Sequence, residues 1–219
     1  MRRALRIGAG GWLVAAILAA GASPESTGAE RYDADLASSR VTVKGTSTIH
    51  DWTAEGRIIR GELVLHEIEP SSLWTNSDAA PQALAATVHV EIPVGSLKSD
   101  NSGLNRRMYE ALKTAAHPMI TYRLESAKVA TRQTAQADEA GGSLTIETTG
   151  VLMVASVERR MDIPMQVKRL PDDRLEVNGE TSLRMTEFGI DPPRAMLGML
   201  RTGDTVHVHW TWVLVRRPS

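Results

Sequence analysis

The sequence contains no cysteine. A disulfide framework, thiolate metal ligands, a cysteine nucleophile and the acylated cysteine of a bacterial lipoprotein are therefore excluded. Aromatic residues are also scarce, with five Trp, three Tyr and one Phe, so apolar faces must be built mainly from Val, Ile, Leu and Met. Neither charge dominates: 25 Lys and Arg face 26 Asp and Glu. Without a basic surplus to neutralise phosphates, no nucleic-acid partner is expected.

The remaining composition, 42% hydrophobic with 17 Gly and 10 Pro in 219 residues, is ordinary for one compact globular domain. We place that domain at residues 31–217. Helical periodicity is nearly absent from it, and its main pattern is an alternation of apolar and polar residues.

The N-terminus predicts export. Three arginines precede an apolar run at residues 7–20, and a small-residue cleavage pattern follows at residues 20–22. The run has about 14 residues, fewer than the roughly 20 that a membrane-spanning helix needs. We therefore expect a signal peptide at residues 1–22, a flexible segment at 23–30 and a periplasmic or secreted protein. An uncleaved membrane anchor is the alternative.

Alternation with a period of two indicates half-buried strands. The alternating segments are residues 41–47, 52–65, 83–94, 120–125, 144–152, 159–168, 174–185 and 205–214. Turn residues occur at Gly141-Gly142, Asp172-Asp173 and Asn178-Gly179. This pattern predicts an antiparallel meander of eight or nine strands. Either a closed barrel or two facing sheets would avoid unpaired edges, and the pattern alone does not choose between them.

One helix is predicted between two strands. Asn101 or Ser102 can cap it, and Pro118 requires it to end before His117. Its apolar stripe consists of Leu104, Met108, Ala111, Leu112 and Ala115. We expect the helix to cover one end of the sheet structure. Two polar stretches, residues 66–82 with Trp74 and residues 131–142, are predicted to be surface loops.

The predicted inner faces are rich in methionine. The residues concerned are Met153, Met161, Met165, Met185, Met196 and Met199. Unbranched thioethers adapt to irregular apolar surfaces, including long alkyl or isoprenoid chains. The alternative is that each methionine simply fills the protein core.

Several local motifs, in the same order along nearly the whole exported chain, resemble the YceI-like family. They are VKGTSTIHDW at residues 43–52, IPVGSLKS at 92–99, MYEALK at 108–113, HPMITY at 117–122, TEFGIDPP at 186–193, LG at 197–198 and TGDTV at 202–206. Two family features differ here: the opening D-x-x-H-S lacks its histidine at residues 35–39, and the G-V-T-R turn is replaced at residues 156–159.

The resemblance implies an all-β fold, an eight-stranded antiparallel lipocalin-like barrel with one short helix near its mouth. It further implies an apolar tunnel for a long isoprenoid or related amphiphile. On this interpretation the lipid tail contacts Val88, Val90, Ile92, Ile120, Tyr122, Leu124, Ile146, Met161, Ile163, Met165, Leu183, Met185, Val208, Trp210 and Trp212. Four further residues lie near the entrance: Leu104, Met108, Leu112 and Phe188.

Catalytic chemistry finds little support. His207 and His209 share the polar face of one strand, but a metal site needs a third nearby ligand, so solvated histidines are expected. His50 and Asp51 beside Ser47 or Thr48 could suggest a nucleophile and base, but neighbours on a strand point to opposite faces and a G-x-S-x-G nucleophile elbow is missing. A turn held by Asp51, with Trp52 packed below it, is expected instead. We therefore expect a non-enzymatic protein without metal or cofactor.

The expected partner is an isoprenoid, quinone or fatty-acyl-type lipid, held for transport, storage or sequestration. Transient contact with a membrane or an envelope protein fits such a role. The oligomeric state stays open, a homodimer included. The rival hypothesis is a β-rich envelope interaction or stress-response module with a filled core and no lipid.

Overall fold

The computed structural model describes residues 29–66, 73–74, 82–133, 142–195 and 200–218. The strands are β1 (Glu30–Ala34), β2 (Arg40–Ser47), β3 (Trp52–Gly56), β4 (Arg60–Leu65), β5 (Gln82–Leu84), β6 (Ala86–Pro93), β7 (Met119–Gln133), β8 (Ser143–Val154), β9 (Val157–Leu170), β10 (Arg174–Arg184), β11 (Arg194–Ala195) and β12 (Leu200–Arg216). The helix α1 spans Ser102–Ala111, and 3-10 turns lie at Val94–Ser96 and Met185–Phe188.

Eight strand positions close into an antiparallel barrel. The first three positions are each broken into two segments, β1 with β2, β3 with β4, and β5 with β6, and the others are β7, β8, β9, β10 and β12. Strand β1 pairs with β4 on one side and with β12 on the other, which closes the ring. The predicted barrel is confirmed, and the sandwich alternative is wrong because the first and last strands pair directly.

The alternation of the sequence matches the barrel wall. On β12, Val206, Trp212 and Leu214 are buried, whereas the intervening His207 and His209 are exposed. The cross-strand partners of the buried residues, such as Val177 opposite Trp212, come from the apolar parity of β10. On both strands the apolar parity thus faces the interior, as a closed sheet requires, although Val213 of the opposite parity is buried as well.

Helix α1 covers the end of the barrel where β6 stops and β7 starts, which we call the helix end. The side chain of Asn101 accepts a hydrogen bond from the Leu104 N–H at 3.0 Å and caps the helix. The Tyr109 hydroxyl donates to the Leu97 carbonyl at 2.7 Å, which ties the helix to the barrel rim. Met108 and Leu112 pack against the core inside.

The helix is shorter than predicted. It ends at Ala111, and Lys113 adopts a left-handed conformation with φ of 52°. The Thr114 N–H then bonds to the Tyr109 carbonyl and the Lys113 N–H to the Glu110 carbonyl, which is the Schellman arrangement. Ala115 consequently lies beyond the helix and is exposed, so its assignment to the apolar stripe is wrong.

One predicted turn is wrong. Asn178-Gly179 lies in the middle of β10, where Gly179 pairs with Trp210 of β12. The turn at Asp172-Asp173 is confirmed, with both residues at positive φ. Gly141, of the third predicted turn, lies outside the described residues.

The predicted loops are also shorter than expected. Strand β7 continues to Gln133 and β5 begins at Gln82, so residues 131–133 and Gln82 are strand rather than loop. Trp74 is helical and packs against the core, because its indole is apolar enough to be drawn inward. The other residues of both predicted loops are described only in part.

The expected signal peptide and its cleavage site lie outside the described residues. Glu30, assigned to a flexible segment, instead begins β1 and pairs with Leu65. Among the described residues, no helix is both long enough and apolar enough to span a membrane.

Barrel closure predicts a large effect of Leu214→Ala. Leu214 is completely buried and lies between Ala34 of β1 and Leu175 of β10. Removing its side chain should lower the free energy of unfolding by about 2–5 kcal/mol, measured by urea denaturation. Val215→Ala, on the outer face of the same strand, is the control and should change it by less than about 0.5 kcal/mol. Equal effects would contradict this assignment of the inner face.

Candidate functional site

The barrel encloses an apolar cavity of about 290 Å³. That volume lies near the lower limit of the roughly 300–1,000 Å³ typical of small-molecule sites. The cavity reaches from Leu73 and Trp74 at one end to Leu104 and Met108 of α1 at the helix end. Nearly all of its wall is hydrocarbon, so it is suited to an apolar chain rather than to a polar metabolite.

Most residues predicted to contact lipid lie together on this wall. Eighteen of the nineteen line the cavity: Val88, Val90, Ile92, Leu104, Met108, Leu112, Ile120, Tyr122, Leu124, Ile146, Ile163, Met165, Leu183, Met185, Phe188, Val208, Trp210 and Trp212. Met161 is not among the lining residues. It packs instead against the Phe188 cluster, because the 3-10 turn at Met185–Phe188 folds over the helix end of β9. That these residues bind lipid stays a prediction.

Further lining residues were not predicted. They come chiefly from the broken strands and the opposite end of the barrel, and include Tyr32, Val41, Val43, Trp52, Leu63, Leu65, Trp74, Leu175 and Val177. Leu175 and Val177 could have been predicted from the sequence, since they share the apolar parity of Leu183. Trp74 could not have been predicted in this way, because its neighbours in the sequence are polar.

Three aromatic rings lie flat against the barrel wall because glycines face them. An ideal Cβ at Gly45 would lie 2.3 Å from Trp52 Cζ2, and one at Gly179 would lie 2.2 Å from Trp210 Cζ2. A Cβ at Gly150 would lie 2.4 Å from Tyr122 Cζ. Any side chain at these glycines would force the rings to move. The glycines therefore let the rings occupy the wall rather than the centre of the barrel.

The polar groups beside the cavity satisfy one another. The Thr148 hydroxyl donates to the Ile163 carbonyl at 2.7 Å, so the Tyr122 hydroxyl must be the donor in its 3.2 Å bond with Thr148. Burial raises the pKa of Tyr122. Burial, followed by the nearby Glu30 carboxylate, likewise raises the pKa of Tyr32 to about 12. Both tyrosines are therefore neutral at physiological pH.

Two buried indole groups differ from this pattern. Within the described part of the chain, Nε1 of Trp52 and Nε1 of Trp212 have no hydrogen-bond partner. Each unpaired donor costs about 1–3 kcal/mol. Among the described residues of the cavity wall, none is charged, and neither a nucleophile with its base nor a pair of carboxylates occurs.

The sequence model of the YceI-like domain matches residues 32–214. This chain belongs to the YceI-like family. The match covers every strand position of the barrel.

Two solved structures of other proteins have a fold similar to that of this chain. The protein is similar to Burkholderia cenocepacia BcnA, with a TM-score of 0.58, 14% identity, and coverage of 83% of this chain and 99% of that one. It is also similar to a polyisoprenoid binding domain from Saccharophagus degradans implicated in plant cell wall breakdown. There the TM-score is 0.60 and the identity 14%, with 85% and 98% of the two chains covered. No curated protein sequence matches this chain at a significant level.

The histidines of this YceI-like chain lie outside the cavity. His209 Nε2 is 2.9 Å from Glu180 Oε2, and His207 Nδ1 is 2.8 Å from the Ser182 hydroxyl, both on the outer face. Groups of three or more potential metal ligands do not occur in the described ranges.

The helix end is closed beside α1 by the turn at Met185–Phe188, whose Phe188 is only 2% exposed. Asp204 holds this turn in place: it accepts from the Thr186 N–H at 2.9 Å and from the Thr186 hydroxyl at 2.8 Å, and contacts Arg184 at 3.1 Å. The bond from the Thr186 N–H is the main reason why the pKa of Asp204 lies below its ordinary value.

Gly179→Ala should destabilise the protein. Its Cβ would force the Trp210 ring off the wall and toward the cavity, and overpacking of this kind costs about 1–3 kcal/mol. We expect a lower urea midpoint and altered tryptophan emission, with the stability restored when Trp210→Leu is added. Gly95→Ala, where the Cβ would meet nothing within 4 Å, is the control. A Gly179→Ala variant with an unchanged urea midpoint and unchanged tryptophan emission would contradict the close packing of Gly179 against Trp210.

Asp204→Asn should lower the melting temperature at pH 7 but not at acid pH. Because the folded-state pKa is depressed, the stabilisation is present above the ordinary pKa of 3.8 and is lost as the pH falls below it. Thermal denaturation of both proteins from pH 2.5 to 7 measures this. Asp51→Asn, in the exposed turn between β2 and β3, is the control. A pH-independent difference would rule out the charged form as the cause.

Proposed function

We propose that this protein is a non-catalytic binding protein for a long isoprenoid-type lipid, a polyprenol, quinone or related amphiphile. The observation that carries the proposal is the hydrocarbon-lined cavity inside a closed barrel. The similar Saccharophagus degradans domain is described as polyisoprenoid binding, which supports the same ligand class. The N-terminal pattern at residues 1–22 supports a periplasmic or secreted location, where a lipid must cross water between membranes.

The energetics favour such a ligand. Each methylene moved from water into an apolar site contributes about 0.8 kcal/mol, so ten of them contribute about 8 kcal/mol before the cost of association. Unbranched side chains such as Met108, Met165 and Met185 on the wall can adapt to the branched contour of an isoprenoid. Transport, storage and sequestration all require only this reversible burial.

The rival function, an envelope interaction module, requires a filled core. The cavity is the observation that favours the carrier over this rival. Many inward-facing residues, including Val88, Val90 and Val208, are only half-buried, because part of their surface faces the cavity rather than other side chains.

Native ligand identification tests the proposal directly. The protein is expressed with its own N-terminus, purified without detergent and extracted with organic solvent, and the extract is analysed by mass spectrometry. We expect a stoichiometric lipid with an isoprenoid or fatty-acyl chain. A ligand-free protein that also fails to bind added polyprenol or quinone would overturn the proposal.

Val208→Trp should weaken lipid binding without unfolding the protein. Val208 is half-buried on the cavity wall, so an indole at this position can extend into the cavity and occupy the volume of the tail. We expect at least about a tenfold loss of polyprenol affinity, since several methylenes would be displaced. The measurements are lipid titration and thermal denaturation. His207→Trp, on the outer face of the same strand, should bind normally, whereas a filled core would make Val208→Trp strongly destabilising.

A further inference from the structure

The barrel wall has a break in its hydrogen bonding between β9 and β10. These strands pair only from Leu170 opposite Arg174 to Met165 opposite Gly179, although β9 continues back to Val157 and β10 on to Arg184. By contrast, β8 pairs with β9 along its whole length, and β10 pairs with β12 as far as Arg184. We call the unpaired stretch, residues 157–164 facing residues 180–184, the seam.

A proline lies where the seam begins. Pro164 directly precedes Met165, the last β9 residue paired with β10, and has no N–H to donate to a neighbouring strand. At its far end the seam is closed, because Arg159 Nε donates to the Glu187 carbonyl at 2.8 Å and the Met185–Phe188 turn packs over β9 and β10. The stretch without pairing is therefore bounded by the Met165–Gly179 pair at one end and by this turn at the other.

A groove of about 710 Å³ runs on the outer face from the start of the seam across β10 and β12 to β2. Pro164 and Glu180 border it, and its floor includes Met165, Gly179 and Trp210, which belong to the inward-facing parity. Met165 and Trp210 also line the inner cavity. The groove and the cavity are thus separated by little more than these two residues.

Unlike the cavity, the groove is polar and carries unpaired positive charge. Arg40 and Lys44 line it from β2, and neither forms an ion pair with a described residue. Glu180, which lies 2.9 Å from His209 Nε2, offsets one of these two charges, so the described lining keeps one net positive charge. Gln166 and Asn178 add further hydrogen-bonding groups. An anionic group is the ligand that this set of side chains would attract.

We propose that the amphiphile passes through the seam, with its tail in the cavity and an anionic head group, such as a phosphate, in the outer groove beside Arg40 and Lys44. This assignment rests on the proposed lipid-binding function and specifies its ligand class. The hydrocarbon wall of the cavity offers no place for a charge, whereas the groove begins within one residue of Met165. A flexible thioether at Met165 can move aside to admit the chain.

The test compares polyprenol with polyprenyl phosphate of the same chain length. Titrations followed by tryptophan emission should show that the phosphate binds about tenfold more tightly, a difference of about 1.4 kcal/mol. The double variant Arg40→Gln/Lys44→Gln should lose this preference and keep its affinity for polyprenol. The control Arg60→Gln/Lys128→Gln removes the same charge from exposed positions on β4 and β7 and should keep the preference.

Site-specific labelling locates the head group independently of affinity. Because the native chain has no cysteine, Asn178→Cys introduces a single thiol in the groove, and Thr87→Cys places one on the outer face of β6. Polyprenyl phosphate should slow maleimide labelling at position 178 and leave position 87 unchanged. Polyprenol should protect neither position.

The outcomes separate this inference from the proposed function. Failure of both lipids to bind would overturn both. Equal binding of the two lipids, a phosphate preference that survives Arg40→Gln/Lys44→Gln, or unprotected labelling at position 178 would overturn the seam assignment while lipid binding stands. Loss of the preference in the control double variant would likewise overturn it, since general electrostatics would then be the cause.

Discussion

Pairing between β1 and β12 is the interaction on which the remaining structure depends. A barrel that encloses a cavity forgoes part of the dispersion energy that a filled core would supply, because wall atoms facing the cavity lack partners. The backbone hydrogen bonds between neighbouring strands then contribute more to specifying the fold. Leu214, completely buried opposite Ala34 and Leu175, shows how tightly the wall packs where the ring closes.

The cavity depends on where the aromatic side chains lie. Trp52, Trp210 and Tyr122 are large enough to fill much of a small barrel, yet each ring rests on a glycine of an adjacent strand. Glycine in a strand normally weakens it, since it adds backbone entropy and no packing. Here the covering ring supplies the packing, and the glycine lets the ring lie flat. The scarcity of phenylalanine and tyrosine has the same consequence, because fewer rings compete for the interior.

The seam is a local departure from closure. An unpaired strand edge is a liability in most sheets, and the Met185–Phe188 turn with its Asp204 cap limits this one at the helix end. At the other limit, Met165 opposite Gly179 is the last pair, and Pro164 is the first unpaired residue of β9. Met165, at the edge of the seam, lines both the apolar cavity and the polar groove, as does Trp210.

The sequence by itself determined the strand faces, because alternation is a local property: an apolar parity on β10 or β12 turns inward whichever strand lies next to it. It also indicated the capping residue Asn101 and, through ordered motifs, the family and the barrel. It misassigned Asn178-Gly179, since this dipeptide favours a turn unless a neighbouring ring covers the glycine. It also misplaced Trp74 and Met161, whose surroundings come from distant segments. Only the tertiary structure decided which strands pair, where the β9–β10 ladder stops and how much of the interior stays empty, because each depends on contacts between residues far apart in the chain.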